Sequence, residues 1–229
     1  MNRSYVCDRA VKLSICAACF TIWTRTGSFA ETGHRLQITV FVYNHAQVPS
    51  KCLTQALKEV TRIYRHGGVE LAWLDRPLSA AAQGPTNSLE LGQTTLVLRL
   101  LPDSMAEHLT IRDEALGFAP LCSNEEAGCI AHILYYRVKD LARNGNASLS
   151  QILGLAITHE LGHLLLGSNA HVASGLMRAK WGPEELRLAT KGGLMFTAEQ
   201  SAVIRNQVIC KIKAQQAHQK VDEVVEGRL

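Results

Sequence analysis

The feature that most constrains the fold is the segment 149–166, in which apolar residues surround nearly the whole circumference of a predicted helix. A helix that is apolar on all sides is buried inside a protein. This helix nevertheless carries three ionisable residues, His159, Glu160 and His163. Such groups are costly to bury unless a ligand or hydrogen bonds satisfy them. We therefore expect a central helix that carries chemistry as well as forming the core.

The three ionisable residues belong to the sequence His-Glu-Leu-Gly-His, which starts at His159 and ends at His163. Two histidines four positions apart lie on one helical face, so both imidazoles can reach a single metal ion. Zn²⁺ lowers the pKa of a bound water to about 7, and a neighbouring carboxylate can then take its proton. The motif predicts a Zn²⁺ site with His159 and His163 as ligands and Glu160 as general base. The alternative is a pair of core histidines satisfied by backbone groups.

The identity of the third ligand follows less directly. A catalytic zinc site uses three protein ligands and keeps one position open, whereas a structural site uses four. Gly167 ends the predicted helix and lets the chain turn back, and His171 follows on a loop. We predict that His171 is the third ligand. Glu184 or Glu185, just after Pro183, is an alternative, although two acids there also suit a helix N-terminus.

Around this helix the sequence alternates between strand and helix patterns. Strands are predicted at 36–43, 69–74, 94–101, 115–121 and 129–138, and helices at 50–66, 149–166 and from Thr197 to about 216. Gln200 lies three residues after Thr197, which predicts a capping box. Pro120 is tolerated only in an edge strand, so 115–121 is expected at an edge of the sheet.

The segment 159–177, together with this order of elements, resembles the metzincin zinc metallopeptidases. Their signature is H-E-x-x-H-x-x-G-x-x-H followed by a Met-turn. The resemblance implies an α+β fold with a twisted, mostly parallel sheet, an antiparallel edge strand, a buried active-site helix and a C-terminal helix. It also implies Zn²⁺ held by three histidines, Glu160 as general base, Met177 in the Met-turn, and a peptide substrate extended along the edge strand 115–121.

The spacing departs from the family signature. Here it is H-E-x-x-H-x-x-x-G-x-x-x-H, with one extra residue on each side of the glycine. Strict counting would place Leu166 at the glycine and Asn169 at the third ligand. Asparagine is a poor zinc ligand, and leucine cannot make the turn that glycine makes. A longer helix and loop that deliver His171 are therefore preferred, with Asn169 as the alternative.

Residues 1–30 have the order of a secretory signal: a basic start, the apolar run 13–23, then small residues at Ser28 and Ala30. We predict cleavage after Ala30 and a single catalytic domain, 31–229, that is secreted to the extracellular space or the periplasm. Eleven apolar residues fall short of a bilayer, so no stable membrane insertion is expected after cleavage.

Four cysteines lie beyond residue 30, namely Cys52, Cys122, Cys129 and Cys210. An even number suits two disulfides in an oxidising compartment. Because Cys122 and Cys129 bracket a short loop, a bridge between them is the natural expectation, and Cys52 would then pair with Cys210. The sequence by itself allows three pairings.

The net charge and its distribution bear on whether the protein binds nucleic acid. The net charge is +4, and beyond residue 30 the chain holds 20 basic and 19 acidic residues without a basic cluster. Nucleic acid is therefore not expected as a partner. The leading hypothesis is a secreted zinc endopeptidase that hydrolyses peptide bonds in peptides or proteins. The competing hypothesis is a non-catalytic secreted zinc-binding protein, in which a fourth protein ligand closes the site. Oligomeric state and cleavage preference stay open.

Overall fold

The structure is a computed structural model that describes residues 36–76, 94–107, 109–112, 114–120 and 129–226, without the side chains of 218, 219 and 221–226. The predicted signal peptide, 1–30, lies outside the described residues, as does most of the connection after the second strand. The domain boundary at residue 30 therefore stays a prediction.

Five strands form one sheet in the order β2-β1-β3-β5-β4. They are β1 (Gln37–Asn44), β2 (Glu70–Asp75), β3 (Thr95–Leu101), β4 (Gly117–Phe118) and β5 (Cys129–Leu134). The pairs β1–β2, β1–β3 and β3–β5 are parallel, and β4 is antiparallel to β5 at the edge. The predicted mostly parallel sheet with an antiparallel edge strand is confirmed, in a mixed α/β architecture.

Six helices complete the described residues: α1 (Ser50–His66), α2 (Asp103–Ala106), α3 (Tyr135–Asn144), α4 (Leu149–Leu166), α5 (Pro183–Thr190) and α6 (Ala198–Glu226). The helices α1 and α4 have the predicted bounds. The predicted capping box of α6 is also present: the Thr197 amide donates to Gln200 Oε1 at 2.9 Å, and the Gln200 amide donates to Thr197 Oγ1 at 3.2 Å. This helix extends about ten residues beyond the predicted end.

The prediction of a strand that runs from 129 to 138 is wrong in its second half. The strand β5 ends at Leu134, and α3 begins at Tyr135. The buried residues of α3 are Tyr135, Val138 and Ala142, a helical spacing that faces the core. A short apolar run of this kind does not distinguish strand from helix by periodicity alone.

The helix α4 is the centre of the core. Every residue from Ile152 to Leu165 is buried, and α1 packs against it through Ala56, Val60 and Ile63. The helix α4 is long and apolar enough to cross a membrane by length and composition, but 78% of it is buried inside the protein. Its apolar surface is therefore explained by burial between the sheet and the other helices, as the sequence predicted.

The predicted disulfide between Cys52 and Cys210 is wrong, because both are free thiols. Cys52 lies in the first turn of α1, at the end of the sheet where β1 finishes. The helix α6 passes the opposite end: Gln215 Oε1 accepts a hydrogen bond from Thr94 Oγ1 at 2.7 Å, just before β3 begins. The two cysteines therefore lie near opposite ends of the parallel strands. Cys122 lies outside the described residues, so the Cys122–Cys129 bridge stays a prediction.

Candidate metal centre

The helix α4 presents the first two histidines to one point. His159 is 8% exposed and His163 is 4% exposed, and their Nε2 atoms lie 3.0 Å apart. The two rings meet almost at right angles, with an interplanar angle of 83°. One helical turn thus brings two nearly buried imidazole nitrogens together, as the four-residue spacing predicts.

The third histidine is returned by the chain after α4. Gly167 follows the helix with φ of +62°, in the left-handed region where a side chain would be strained. The chain then brings His171 back over the helix, and its Nε2 lies 3.3 Å from that of His159. Among the described residues, His159, His163 and His171 form the group whose ligand atoms all lie within 4.8 Å of one another.

Backbone carbonyls fix the tautomers of the two helical histidines. His159 Nδ1 donates to the carbonyl oxygen of Leu176 at 2.8 Å, and His163 Nδ1 donates to that of Ser168 at 2.8 Å. A carbonyl oxygen can only accept, so each Nδ1 carries the proton. The two Nε2 atoms then face each other at 3.0 Å with lone pairs and no hydrogen between them. A metal ion between the two Nε2 atoms would accept both lone pairs, and a hydrogen bond from Nδ1 to a carbonyl oxygen is the usual support of metal-bound histidines.

The protonation states suit a metal site as well. Burial lowers the pKa of His159 to about 4, and burial also lowers the pKa of His163. The pKa of His171 is lowered by burial and by the positive charge of Arg112. Neutral imidazole is the form that binds metal. Two imidazole nitrogens on a tetrahedral Zn²⁺ lie about 3.3 Å apart, so the three histidines fit such an ion.

Glu160 lies beside this group without a partner of its own. Its side chain is 5% exposed and borders the same cavity, and it forms no hydrogen bond with any described residue. Burial raises the pKa of the metal-free Glu160 to about 8. A nearby divalent cation would favour the carboxylate instead. A largely buried carboxyl group that borders a cavity and accepts no hydrogen bond from the described residues is typical of a residue that acts on a ligand.

Gly117 makes room for Glu160, and sequence reasoning did not identify it. A Cβ atom at Gly117 would lie 2.8 Å from Glu160 Cγ and 2.3 Å from the carbonyl oxygen of His132. The second contact is with backbone and cannot be relieved by a side-chain rotation. Only glycine therefore lets the edge strand β4 lie directly against the carboxyl group. A glycine inside a predicted edge strand is the signal that could have indicated this close approach.

The turn after His171 contacts the His159 side chain and holds it in place. Val172 N donates to the carbonyl oxygen of Met177 at 3.0 Å, which closes the turn, and Met177 is 1% exposed. The Leu176 carbonyl that accepts from His159 also accepts from Trp181 Nε1 at 3.1 Å. Trp181 packs edge-on to the His159 ring, with ring centroids 6.0 Å apart. The predicted turn with a buried methionine is therefore present, and Trp181 is an additional neighbour of the metal group.

The alternative third ligands, Asn169, Glu184 and Glu185, do not join the two helical histidines. Asn169 is exposed in the cavity wall. Glu184 pairs with Arg187 on the surface, with a shortest distance of 2.6 Å. Glu185 is buried and accepts hydrogen bonds from Gly182 N at 2.9 Å and from Arg178 at 2.7 Å. The structure therefore brings His171, and neither glutamate, to the helical pair.

A cavity of about 1300 Å³ opens onto His159, Glu160, His163 and His171. Its other walls come from 109–112, from 114–120, which contains β4, from α3, and from the loop 169–181. Gly117 and Phe118, the two residues of β4, line this space. The cavity is large enough for a segment of several residues beside the metal group.

Comparisons with known proteins give only distant likenesses. No protein-family model matches the chain, and no curated protein matches it in sequence. Two similar solved structures are the archaemetzincin of Methanopyrus kandleri and metalloproteinase-II of Bacteroides fragilis, each 14% identical. The match to the archaemetzincin has a TM-score of 0.48 and covers 77% of this chain and 98% of the archaemetzincin chain. The match to metalloproteinase-II has a TM-score of 0.42 and covers 78% of this chain and 55% of the metalloproteinase-II chain. These scores establish neither a family nor a function for this chain.

Proposed function

We propose that this protein is a zinc-dependent metallopeptidase of the metzincin type, in which His159, His163 and His171 hold the ion and Glu160 is the general base. The observation that carries this proposal is the convergence of three imidazole Nε2 atoms, with His159 3.0 Å from His163 and 3.3 Å from His171, beside a buried carboxyl group that accepts no hydrogen bond from a described residue. The names of the two similar structures agree with the proposal but do not carry it.

When bound, Zn²⁺ supplies Lewis acidity that lowers the pKa of water to about 7 and polarises a carbonyl oxygen. Glu160 takes a proton from the attacking water as the water oxygen bonds to the peptide carbonyl carbon. It then gives this proton to the departing amine nitrogen as the C–N bond breaks. The protein therefore ends the reaction in its starting protonation state, and the net change is hydrolysis of one peptide bond.

The edge strand supports a peptide as substrate. Among the described residues, β4 lies at the edge of the sheet and pairs only with β5. An extended peptide can add to such an edge through backbone hydrogen bonds. Glu160 lies directly under Gly117 of this strand. A peptide bond laid along β4 would therefore come close to the base.

The competing function, a non-catalytic protein with a closed structural zinc site, has less support. Within the described part of the chain, the candidate group contains three ligands and no fourth His, Cys, Asp or Glu. The three also border an open cavity rather than a sealed one. A three-ligand site with open space beside it is typical of a catalytic centre.

The Glu160→Gln variant tests the proposed function. We expect it to bind one Zn²⁺ per chain, because the ligands are unchanged, and to lose about 10²- to 10⁴-fold in kcat, the usual contribution of a general base. Zinc stoichiometry would be measured by elemental analysis. Turnover would be measured on unfolded casein and on a mixture of fluorogenic peptides.

The matched control is Glu184→Gln, the same change at an exposed position. It should retain both zinc and activity, and retained zinc also argues against Glu184 as a ligand. Hydrolysis by Glu160→Gln at the unmodified rate would remove Glu160 from its role. One zinc per chain without hydrolysis of any substrate by the unmodified protein would favour the non-catalytic alternative.

Secretion and the disulfide that suits it are a further part of the proposal, and they depend on the sequence alone, namely on residues 1–30 and on the spacing of Cys122 and Cys129. We propose that a signal peptide is removed after Ala30, that the mature chain is not inserted in a membrane, and that Cys122 and Cys129 form a disulfide. N-terminal sequencing of the exported protein would test the cleavage site. Mass measurement with and without reductant would test the bridge.

A further inference from the structure

The walls of the cavity beside the metal group carry several charged side chains, and most of them have partners. Arg178 pairs with Glu185 at 2.7 Å. Lys180 pairs with Glu114, which joins two of the cavity walls. These charges therefore already have partners of opposite charge within the protein, with which a substrate carboxylate would have to compete.

Two further charges of the cavity walls are also engaged, both from α3. Asp140 pairs with Arg143 at 3.2 Å. Arg137 donates to the backbone carbonyl oxygens of Arg112 and Ala115, the latter at 3.0 Å. Arg137 thus acts as a support for the loop that precedes β4.

Arg112 differs from these residues. Its side chain lines the cavity and is exposed, and it forms no hydrogen bond or ion pair with any described residue. It lies close enough to His171 for the two to interact electrostatically. Arg112 is therefore an available positive charge beside the third histidine of the metal group.

The backbone of Arg112 is held in place, whereas its side chain has no partner among the described residues. Its carbonyl oxygen accepts hydrogen bonds from Arg137 and, at 3.1 Å, from Ala115 N. A fixed backbone reduces the entropy lost when the side chain engages a ligand. The guanidinium group matches the geometry of a carboxylate, to which it can donate two parallel hydrogen bonds.

We propose that Arg112 is a specificity-determining residue that binds a carboxylate of the substrate, so that the site prefers acidic peptides. This inference rests on the proposed peptidase function. The carboxylate comes either from an Asp or Glu side chain or from the C-terminus of the peptide. Both sources present the same chemistry to Arg112, and the experiment separates them.

Binding is measured without turnover, on the zinc-loaded full chain with the Glu160→Gln change. The probes are fluorescein-labelled, alanine-based octapeptides with a single Glu or a single Gln at each position in turn, each made with a free or an amidated C-terminus. Fluorescence anisotropy gives Kd. We expect the acidic member of one pair to bind about tenfold more tightly, as for a charge-assisted hydrogen bond. The preference should weaken at high salt.

The peptide pairs identify the source of the carboxylate. A difference between Glu and Gln at one position indicates a side chain, and a difference between the free and amidated forms indicates the C-terminus. The preference should disappear in Arg112→Ala, persist in part in Arg112→Lys, and reverse in Arg112→Glu. The matched control is Arg187→Ala, an exposed arginine on α5 outside the cavity walls, which should keep the preference.

Equal Kd values within every pair, or a preference that survives Arg112→Ala, would overturn the inference. Turnover by the unmodified chain separates this failure from that of the proposed function. Hydrolysis of neutral peptides without any acidic preference overturns only the role of Arg112. A carboxylate preference without hydrolysis overturns the peptidase and keeps the binding role. If no peptide of the series binds, the role of Arg112 is overturned, and turnover of casein and the fluorogenic peptides decides the peptidase function.

Discussion

The two sources of the candidate metal ligands differ in how the fold holds them. His159 and His163 lie on α4, where every residue from Ile152 to Leu165 is buried and both side-chain tautomers are fixed by carbonyl oxygens. His171 is exposed, on a segment without regular secondary structure. One region is therefore part of the core, and the other is a short surface connection.

This difference indicates how the site is divided between stability and function. The helical pair cannot move without disturbing the core, because α4 packs against the sheet and α1. The return segment is held at one end by the backbone bond at Gly167 and by the bond from His163 Nδ1 to the Ser168 carbonyl oxygen, and at the other end by the turn closed by Val172 and Met177. We infer that the helix sets the position of the ion and that the return segment completes its coordination.

The largest expected effect is on the free energy of unfolding, and it compares a buried side chain of α4 with an exposed side chain of the return segment. Leu155→Ala on α4 removes a fully buried side chain, so we expect a loss of about 2–5 kcal/mol in the free energy of unfolding. Val172→Ala on the return segment removes a side chain that is 43% exposed and should cost less than about 0.5 kcal/mol. Denaturant unfolding of the metal-free protein measures both. Similar losses in the two variants would contradict the division between core and surface.

The next effect concerns the metal. A ligand that binds only the folded chain stabilises it, by about 2.7 kcal/mol at a concentration of 100 times Kd. We expect zinc at that concentration to raise the free energy of unfolding of the unmodified protein by this amount. His163→Ala and His171→Ala should both lose this stabilisation at the same zinc concentration. If His171→Ala kept it, Asn169 or another group would have to be the third ligand.

The smallest effect concerns the glycine that joins the two regions. Gly167 has φ of +62° and no atom within 4 Å of an added Cβ, so Gly167→Ala tests backbone strain alone. We expect a loss of about 1–2 kcal/mol in the free energy of unfolding and weaker zinc binding. Gly167→Asn serves as the control, since asparagine tolerates this conformation better. Equal stability of Gly and Ala at this position would show that the turn does not constrain the segment that carries His171.

Much of this organisation follows from the sequence because it depends on local periodicity. The apolar circumference of α4 and the glycine after it predicted the bounds of that helix, and the spacing of His159 and His163 predicted their common face. The strands and the capping box of α6 could also be predicted, because their sequence signals come from residues that are close together in the chain. The helix α3 was missed because its short apolar run resembles the strand that precedes it.

Tertiary structure decided the features that join distant parts of the chain. Cys52 lies at the end of the sheet where β1 finishes, whereas the helix that carries Cys210 passes the opposite end, a relation that no local pattern contains. The contact between Gly117 and Glu160 depends on how β4 lies against α4. The convergence of His171 on the helical pair depends on a left-handed turn and on backbone bonds beyond it. Local spacing determined which residue types were available, and the long-range packing of the sheet on α4 decided which of them meet.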